Sequence, residues 1–323
     1  MSETTWQVGD IGKAGDSTPT GQAGGHWARS ICFTCRYIVT SLSGGAERHP
    51  SGTVHVTLSP FLRPVTAVAY CHLSLKSLRF WRGASACHAN GRSEELIDRA
   101  IAGQRDRVFL VSKVDRATDI AGACEASLSR LSTSYLDLYL LHWPMPGADL
   151  SAVVAAFEVL RAGGKIRAWG VSNFKVSDME DLFRVPDGHR CATNQVLYNL
   201  SSRGIERDLL PWCEQRGVPV MAYSPLGSSS LVHDATLAQI GAAHDCAATA
   251  VALAWVIRSG NVIAIPESGS PAHVKENAVA LSLTLMPQEL QALDAAYPIS
   301  SMDILRSLKD RGKRWLRSFP TAK

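Results

Sequence analysis

The sequence predicts an α/β protein built on a (β/α)8 barrel of the TIM type, incomplete or irregular over its first two β/α units. Three observations carry that expectation. From residue 90 onward, short apolar runs rich in β-branched residues alternate with helix-length stretches, which is the pattern of a parallel sheet with helical crossovers. Polar residues recur at the carboxyl end of run after run, where a barrel collects its active site. No GxGxxG follows a strand, so the dinucleotide-binding open sheet, the competing parallel architecture, loses support.

The elements follow in order. Ser93 reads as a helix N-cap, with Glu94 and Glu95 in the first turn, where the helix dipole favours carboxylates, and with Leu96, Ile97, Ala100 and Ile101 as its apolar face. RVFLVSKV reads as a buried strand. Ile120, Cys124, Leu128 and Leu131 sit at helical spacing, DLYLLHW is a strand, and Ala152 to Leu160 is a helix stopped by Gly163-Gly164. IRAWGVSN, ATNQVLYN, VPVMAYSPLG and NVIAIPES are strands. The intervening helices are expected over Val176 to Phe183, Ile205 to Arg216 and two stretches within Ala235 to Ile257, and Pro271 to Leu281 is expected as the last helix. That makes six strand-then-helix units behind a lone helix, so the first two strands must come from residues 1–89 or be absent.

Composition narrows the classes. The 323 residues are 46% apolar and 19% charged, enough for a large core. A net charge of +4 does not suggest nucleic acid as a partner, and no run of 18 apolar residues suggests a membrane span. The N-terminus lacks a basic start followed by an apolar stretch, so no signal peptide is read and a cytoplasmic protein is expected; a monomer is the separate working expectation, which no sequence feature decides. Cys32 and Cys35 form a lone CxxC without a second pair, so no metal site is assigned; incidental thiols and a redox pair both remain open.

A seam divides the chain near residue 90. Residues 1–89 hold four of the 29 acidic residues (Glu3, Asp10, Asp16, Glu47) and five of the ten histidines, and they show no regular helical period. Only short alternating stretches such as TVHVTL and HLSLKSLRF suggest strands there. The expected organisation is an atypical segment over 1–89, a barrel over 90–300 and a basic tail over 301–323.

LVSKV, LLHW, WGVSNF, NQVLYN, AYSPLG and IPES followed by HVKEN resemble, in order and spacing, the aldo-keto reductases, and most closely their bacterial branch related to diketogluconate reductases. The likeness spans about Asn90 to Pro298. It implies a barrel that binds a nicotinamide cofactor, NADPH with NADH as the alternative, and moves hydride to a small aldehyde or ketone. Hydride addition leaves charge on the carbonyl oxygen, so a hydrogen-bond donor must stand beside it. By resemblance Lys113 takes the place of the lysine that lowers the pKa of the family's proton-donating tyrosine, and His142 that of the histidine that orients the carbonyl. The resemblance places Ser172, Asn173 and Gln195 on the nicotinamide carboxamide, Tyr223 against its ring, and Ser224 and Leu226 along the pyrophosphate. It places Ser268, His273, Glu276 and Asn277 at the adenosine end. There Glu267 stands where the family commonly has lysine and His273 where it often has arginine, which puts the NADPH preference in question, since a carboxylate repels a phosphate.

The family's aspartate and tyrosine belong to Asp-Thr-Ala-x-x-Tyr, just before NGRSEEL. Aligned without a gap, those two slots fall on Gly83 and His88. Carbonyl reduction is therefore expected to be weak or absent. An out-of-frame or misassembled stretch, a divergent N-terminal region and a targeting peptide are all compatible with such a front. A nicotinamide-binding barrel that senses or partners without reducing is the alternative function.

Overall fold

The computed structural model describes residues 91–115, 117–227 and 231–301, together with five short strands inside the first ninety residues. Those strands are β1 (Ser30–Cys32), β2 (Ile38–Val39), β3 (Ala46–Arg48), β4 (Val54–Val56) and β5 (Val68–Tyr70). Then come α1 (Arg92–Ile101), β6 (Phe109–Val114), α2 (Ile120–Arg130), β7 (Leu136–Leu141), α3 (Leu150–Ala162), β8 (Ile166–Ser172) and α4 (Val176–Arg184). The second half holds β9 (Asn194–Leu197), α5 (Leu209–Gln215), β10 (Val220–Tyr223), α6 (Ala235–Ala243), α7 (Ala248–Ile257), β11 (Val262–Ile265), α8 (Pro271–Ala278) and α9 (Pro287–Ala296).

Strands β6 to β11 pair in sequence order, all parallel, and form the curled wall expected from the six strand–helix units. The wall is extended at both ends by three-residue strands, β5 parallel to β6 and β1 parallel to β11, with β2 antiparallel outside β1. β1 and β5 approach within 8 Å between Cα atoms but are not paired. Of the two stretches read as strands before residue 90, TVHVTL contributes β4, which pairs with β3, while HLSLKSLRF lies outside the described residues. Cys35, Gly83 and His88 also lie outside them, as does the tail beyond residue 301.

Strand alternation sorts the side chains into two layers. Phe109 and Val111, Leu138 and Leu140, Ala168, Met221, and Ile263 and Ile265 pack together inside the ring. Their sequence neighbours Leu110, Val114, Tyr139, Trp169, Val171, Val220, Ala222 and Ala264 join the larger core beneath the helices. That outer core includes the stacked pair Phe157 and Trp169, with ring centroids 5.4 Å apart. α7 is buried from Ala250 to Ile257, which is why its sequence carries no polar face.

Three helix expectations are corrected. Ser93 is not the cap of α1: the helix starts at Arg92 behind Gly91, whose φ is +86° and whose Cα faces the Arg130 side chain so closely that a Cβ would lie 2.4 Å from it. The start moves because Glu94 is drawn wholly inside, accepting from Ser112 Oγ and Arg130 Nε, both at 2.6 Å. The helix expected over Ile205 to Arg216 is split. A 3-10 turn over Gly204–Arg207 precedes α5, which starts where the Asp208 carboxylate accepts from Leu209 N. Pro271 to Leu281 is not the last helix: α8 ends at Ala278, a 3-10 turn follows, and α9 adds a further helix. Pro287 at its first turn, and the Glu289 carboxylate accepting from Met286 N at 2.7 Å, are the start signals that went unread.

No single described helix is long and apolar enough to cross a membrane.

Candidate active site

Lys113, His142, Ser172 and Tyr223 continue the inward-facing series of their strands, at or just past the carboxyl ends of β6, β7, β8 and β10, and Gln195 lies lower, second in β9 and opposite Met221. Alternation therefore aims them at one mouth. Lys113 is 4% exposed, two residues above Val111 in the inner layer. A buried ammonium at the top of an apolar barrel needs polar company. His142 is on the neighbouring strand's end, where its backbone N–H donates to Val114 O at 2.9 Å.

From His142 a chain of hydrogen bonds runs around the rim. Asn173 Nδ2 donates to His142 O and to Ser172 Oγ, each at 3.1 Å. Ser172 Oγ donates to Gln195 O at 2.8 Å. The Tyr223 hydroxyl donates to Asn173 Oδ1 at 3.1 Å. Asn173 reaches all these partners from the left-handed region, at φ +64°, and Ser224 sits there too, at φ +48°. For serine this conformation costs about 1–3 kcal/mol, and such strain gathers at functional sites. The Ser224 carbonyl is fixed by Asn199 Nδ2 at 2.8 Å. Leu226 packs at the edge of the outer core.

The second group expected from the sequence lies on the loop after β11 and on α8. Ser268 Oγ donates to Ser270 O, and Ser270 N donates back to Ser268 Oγ, forming a tight turn before the helix. His273, Lys275 and Glu276 are exposed on α8, while Asn277 is 3% exposed and its buried Oδ1 has no hydrogen-bond partner among the described residues.

One residue of the mouth was not foreseen. Asp115, two beyond Lys113, places Oδ1 2.5 Å from His142 Nδ1. The signal was the strand period: residues 109, 111, 113 and 115 share a face. The His142 ring has its pKa lowered, by burial first and by the Lys113 charge second, while Asp115 works in the opposite direction. Burial raises the pKa of the Tyr223 phenol, so it stays neutral. Trp143 and Met145, 52% and 37% exposed, add an apolar edge beside His142.

Thiol chemistry finds no support among the described cysteines. Cys124, Cys191 and Cys213 are buried, and burial pushes each thiol up to about 12. Among the described residues no group of three or more His, Cys, Asp or Glu is arranged to hold a metal ion.

The parallel sheet thus gathers a buried lysine, a carboxylate-paired histidine and an amide–hydroxyl cluster at one rim. The aldo/keto reductase family profile matches residues 77–298, and the chain belongs to that family. It is 50% identical over 220 residues to the methylglyoxal reductase YeaE of Escherichia coli, covering 65% of this chain and 77% of that protein. It is 35% identical over 196 residues to a glyoxal reductase of Bacillus subtilis, covering 59% of this chain and 69% of that one. An aldo/keto reductase of Klebsiella pneumoniae, solved with NADP and acetate, superposes with a TM-score of 0.65 at 48% identity, covering 67% of this chain and 80% of that chain.

Proposed function

We propose that this chain reduces a small aldehyde, of the α-oxoaldehyde kind handled by its methylglyoxal- and glyoxal-reducing relatives, with NADPH as the reductant. The observation that carries the reading is the placing of Lys113 and His142 side by side above the inner core, within the rim cluster of Ser172, Asn173, Gln195 and Tyr223. The residues suit the cofactor. Tyr223 offers a neutral ring face, Asn173 is set to present its amide, and Asn277 Oδ1 is a buried acceptor awaiting a donor. In this reading Ser172, Asn173, Gln195 and Tyr223 hold the nicotinamide, Ser224 and Leu226 line the pyrophosphate, and Ser268, His273, Glu276 and Asn277 hold the adenosine end.

The bound nicotinamide supplies hydride. The chain's own part is to orient the carbonyl and to stabilise the charge that develops on its oxygen. The Lys113 ammonium does the second, at short range in a poorly solvated mouth. Turnover is weak, because the family's phenol and carboxylate slots hold His88 and Gly83, and proton donation is worth about 100- to 10,000-fold in rate.

Titration of the full chain into NADPH, read by quenching of protein fluorescence, gives saturable binding. Oxidation of NADPH with methylglyoxal, read at its near-ultraviolet band, gives slow turnover. Lys113→Met removes the turnover and leaves binding within a few-fold. Absence of binding would refute the reading. Binding without turnover at any pH would favour the non-reducing barrel instead.

A further inference from the structure

We propose that His142, held by Asp115, is the acid that completes carbonyl reduction in this chain, with Asp115 as its positioning residue. The inference rests on the reading that the mouth binds a carbonyl beside a reduced nicotinamide.

Geometry comes first. The register that pairs Val114 with Leu141 sets Asp115 opposite His142, and Oδ1 and Nδ1 meet at 2.5 Å. An ionised carboxylate can only accept, so the proton between them belongs to Nδ1. In the neutral ring Nε2 is then a lone pair, and a lone pair cannot donate to a carbonyl oxygen. Paired in this way, His142 engages the carbonyl oxygen as a donor only when it is an imidazolium. An imidazolium next to a developing alkoxide is a proton donor as well as a hydrogen-bond donor.

The surroundings bear on how readily that form arises. Among the described residues, the charged groups facing the ring are Lys113 on β6 and Asp115 just beyond it. From the β8 side comes the Asn173 amide, and from β10 the neutral Tyr223 phenol bonded to that amide. Trp143 lies against the ring, 5.8 Å away between centroids. Burial and then Lys113 hold the His142 pKa below its ordinary value, and Asp115 offsets part of that, so the carboxylate limits the loss of the imidazolium without reversing it.

The step balances. Hydride adds to the carbonyl carbon, and the π pair of the C=O bond takes the Nε2 proton to become the O–H bond of the alcohol. The ring is left neutral, with Nδ1–H still on Asp115, and a solvent proton restores it. One NADPH is oxidised for each carbonyl reduced.

Two measurements on the full chain test this. In 15N–1H NMR spectra taken without cofactor, with His142→Gln used for assignment, neutral His142 carries its proton on Nδ1. Replacing Asp115 by Leu moves it to Nε2. An Nε2–H tautomer in the parent chain overturns the proposal. In steady-state assays with NADPH and methylglyoxal, kcat/KM falls about tenfold per pH unit above the pKa of His142, the slope of a single required proton. Asp115→Asn moves that limb to lower pH and lowers kcat/KM at least tenfold at pH 6, while NADPH binds as before. A flat profile between pH 5 and 8, an unchanged Asp115→Asn profile, or bound NADPH with no turnover across that range each overturns it. Failure of NADPH to bind would instead sink the cofactor reading, and the NMR result still decides the state of the dyad.

Discussion

Single side chains in this protein carry consequences that their exposure foretells. Glu94 is fully buried and holds Ser112 Oγ and Arg130 Nε, tying α1 and α2 to the outer face of the strand that presents Lys113. Truncating it leaves a guanidinium that is only 26% exposed without its partner. Glu94→Ala should cost about 2–3 kcal/mol in denaturant unfolding, and Glu94→Gln should recover part of that. Gly170 is a second such point. A Cβ there would lie 2.6 Å from Thr193 O and 2.9 Å from Leu140 Cδ2, so Gly170→Ala must push β8 and β9 apart. About 1–3 kcal/mol of destabilisation is expected from such overpacking, read as a lowered urea midpoint. At this scale the sequence was partly legible. Lys113 and His142 could be picked out because each polar residue ends an apolar run. Glu94 could not, because a carboxylate in a helix's first turn has a sufficient explanation in the helix dipole, and its burial comes from residues 18 and 36 positions away.

Elements were more legible than their ends. Strands β6 to β11 fall within the apolar runs that announced them, because a wall buried on both faces leaves little room for polar residues. α2, with Ile120, Cys124 and Leu128 buried, follows the period that predicted it. Where neighbours compete for a backbone group, the pattern misleads. Asp208 caps its own helix and so breaks the longer one, and Pro287 opens a helix in a stretch read as finished. The loop after β11 and α8 carries a test of cofactor choice. By the family resemblance, Glu267 stands before α8 where lysine is common. Glu267→Lys should tighten NADPH about three- to tenfold and leave NADH nearly unchanged, read by fluorescence titration with each cofactor, since an exposed ion pair contributes roughly 1 kcal/mol.

For the whole molecule, Glu206 ties together parts that are far apart in the chain. It accepts from Tyr198 at 2.6 Å, from Arg203 at 2.8 Å and from Arg258 at 2.9 Å, and Arg203 in turn donates to Tyr297 O beyond α9. These groups hold the Glu206 carboxyl below the usual range against the upward pull of burial. Glu206→Ala should cost about 2–4 kcal/mol and lower Tm by several degrees, with α9 loosening first in hydrogen exchange. The ring itself was legible because six successive runs delivered polar ends to one side. Its first two units were not, because three-residue strands are too short to show a period. The same two-residue rhythm that gathers the mouth also makes the protein intolerant of a kind of change that residue-by-residue reading overlooks. Deleting one position between Val108 and Ser112 would turn β6 over. The lysine would be driven outward among the helix-facing apolar residues and Val114 would take its place in the opening, so a frame of one should erase catalysis and packing at once where most replacements erode either.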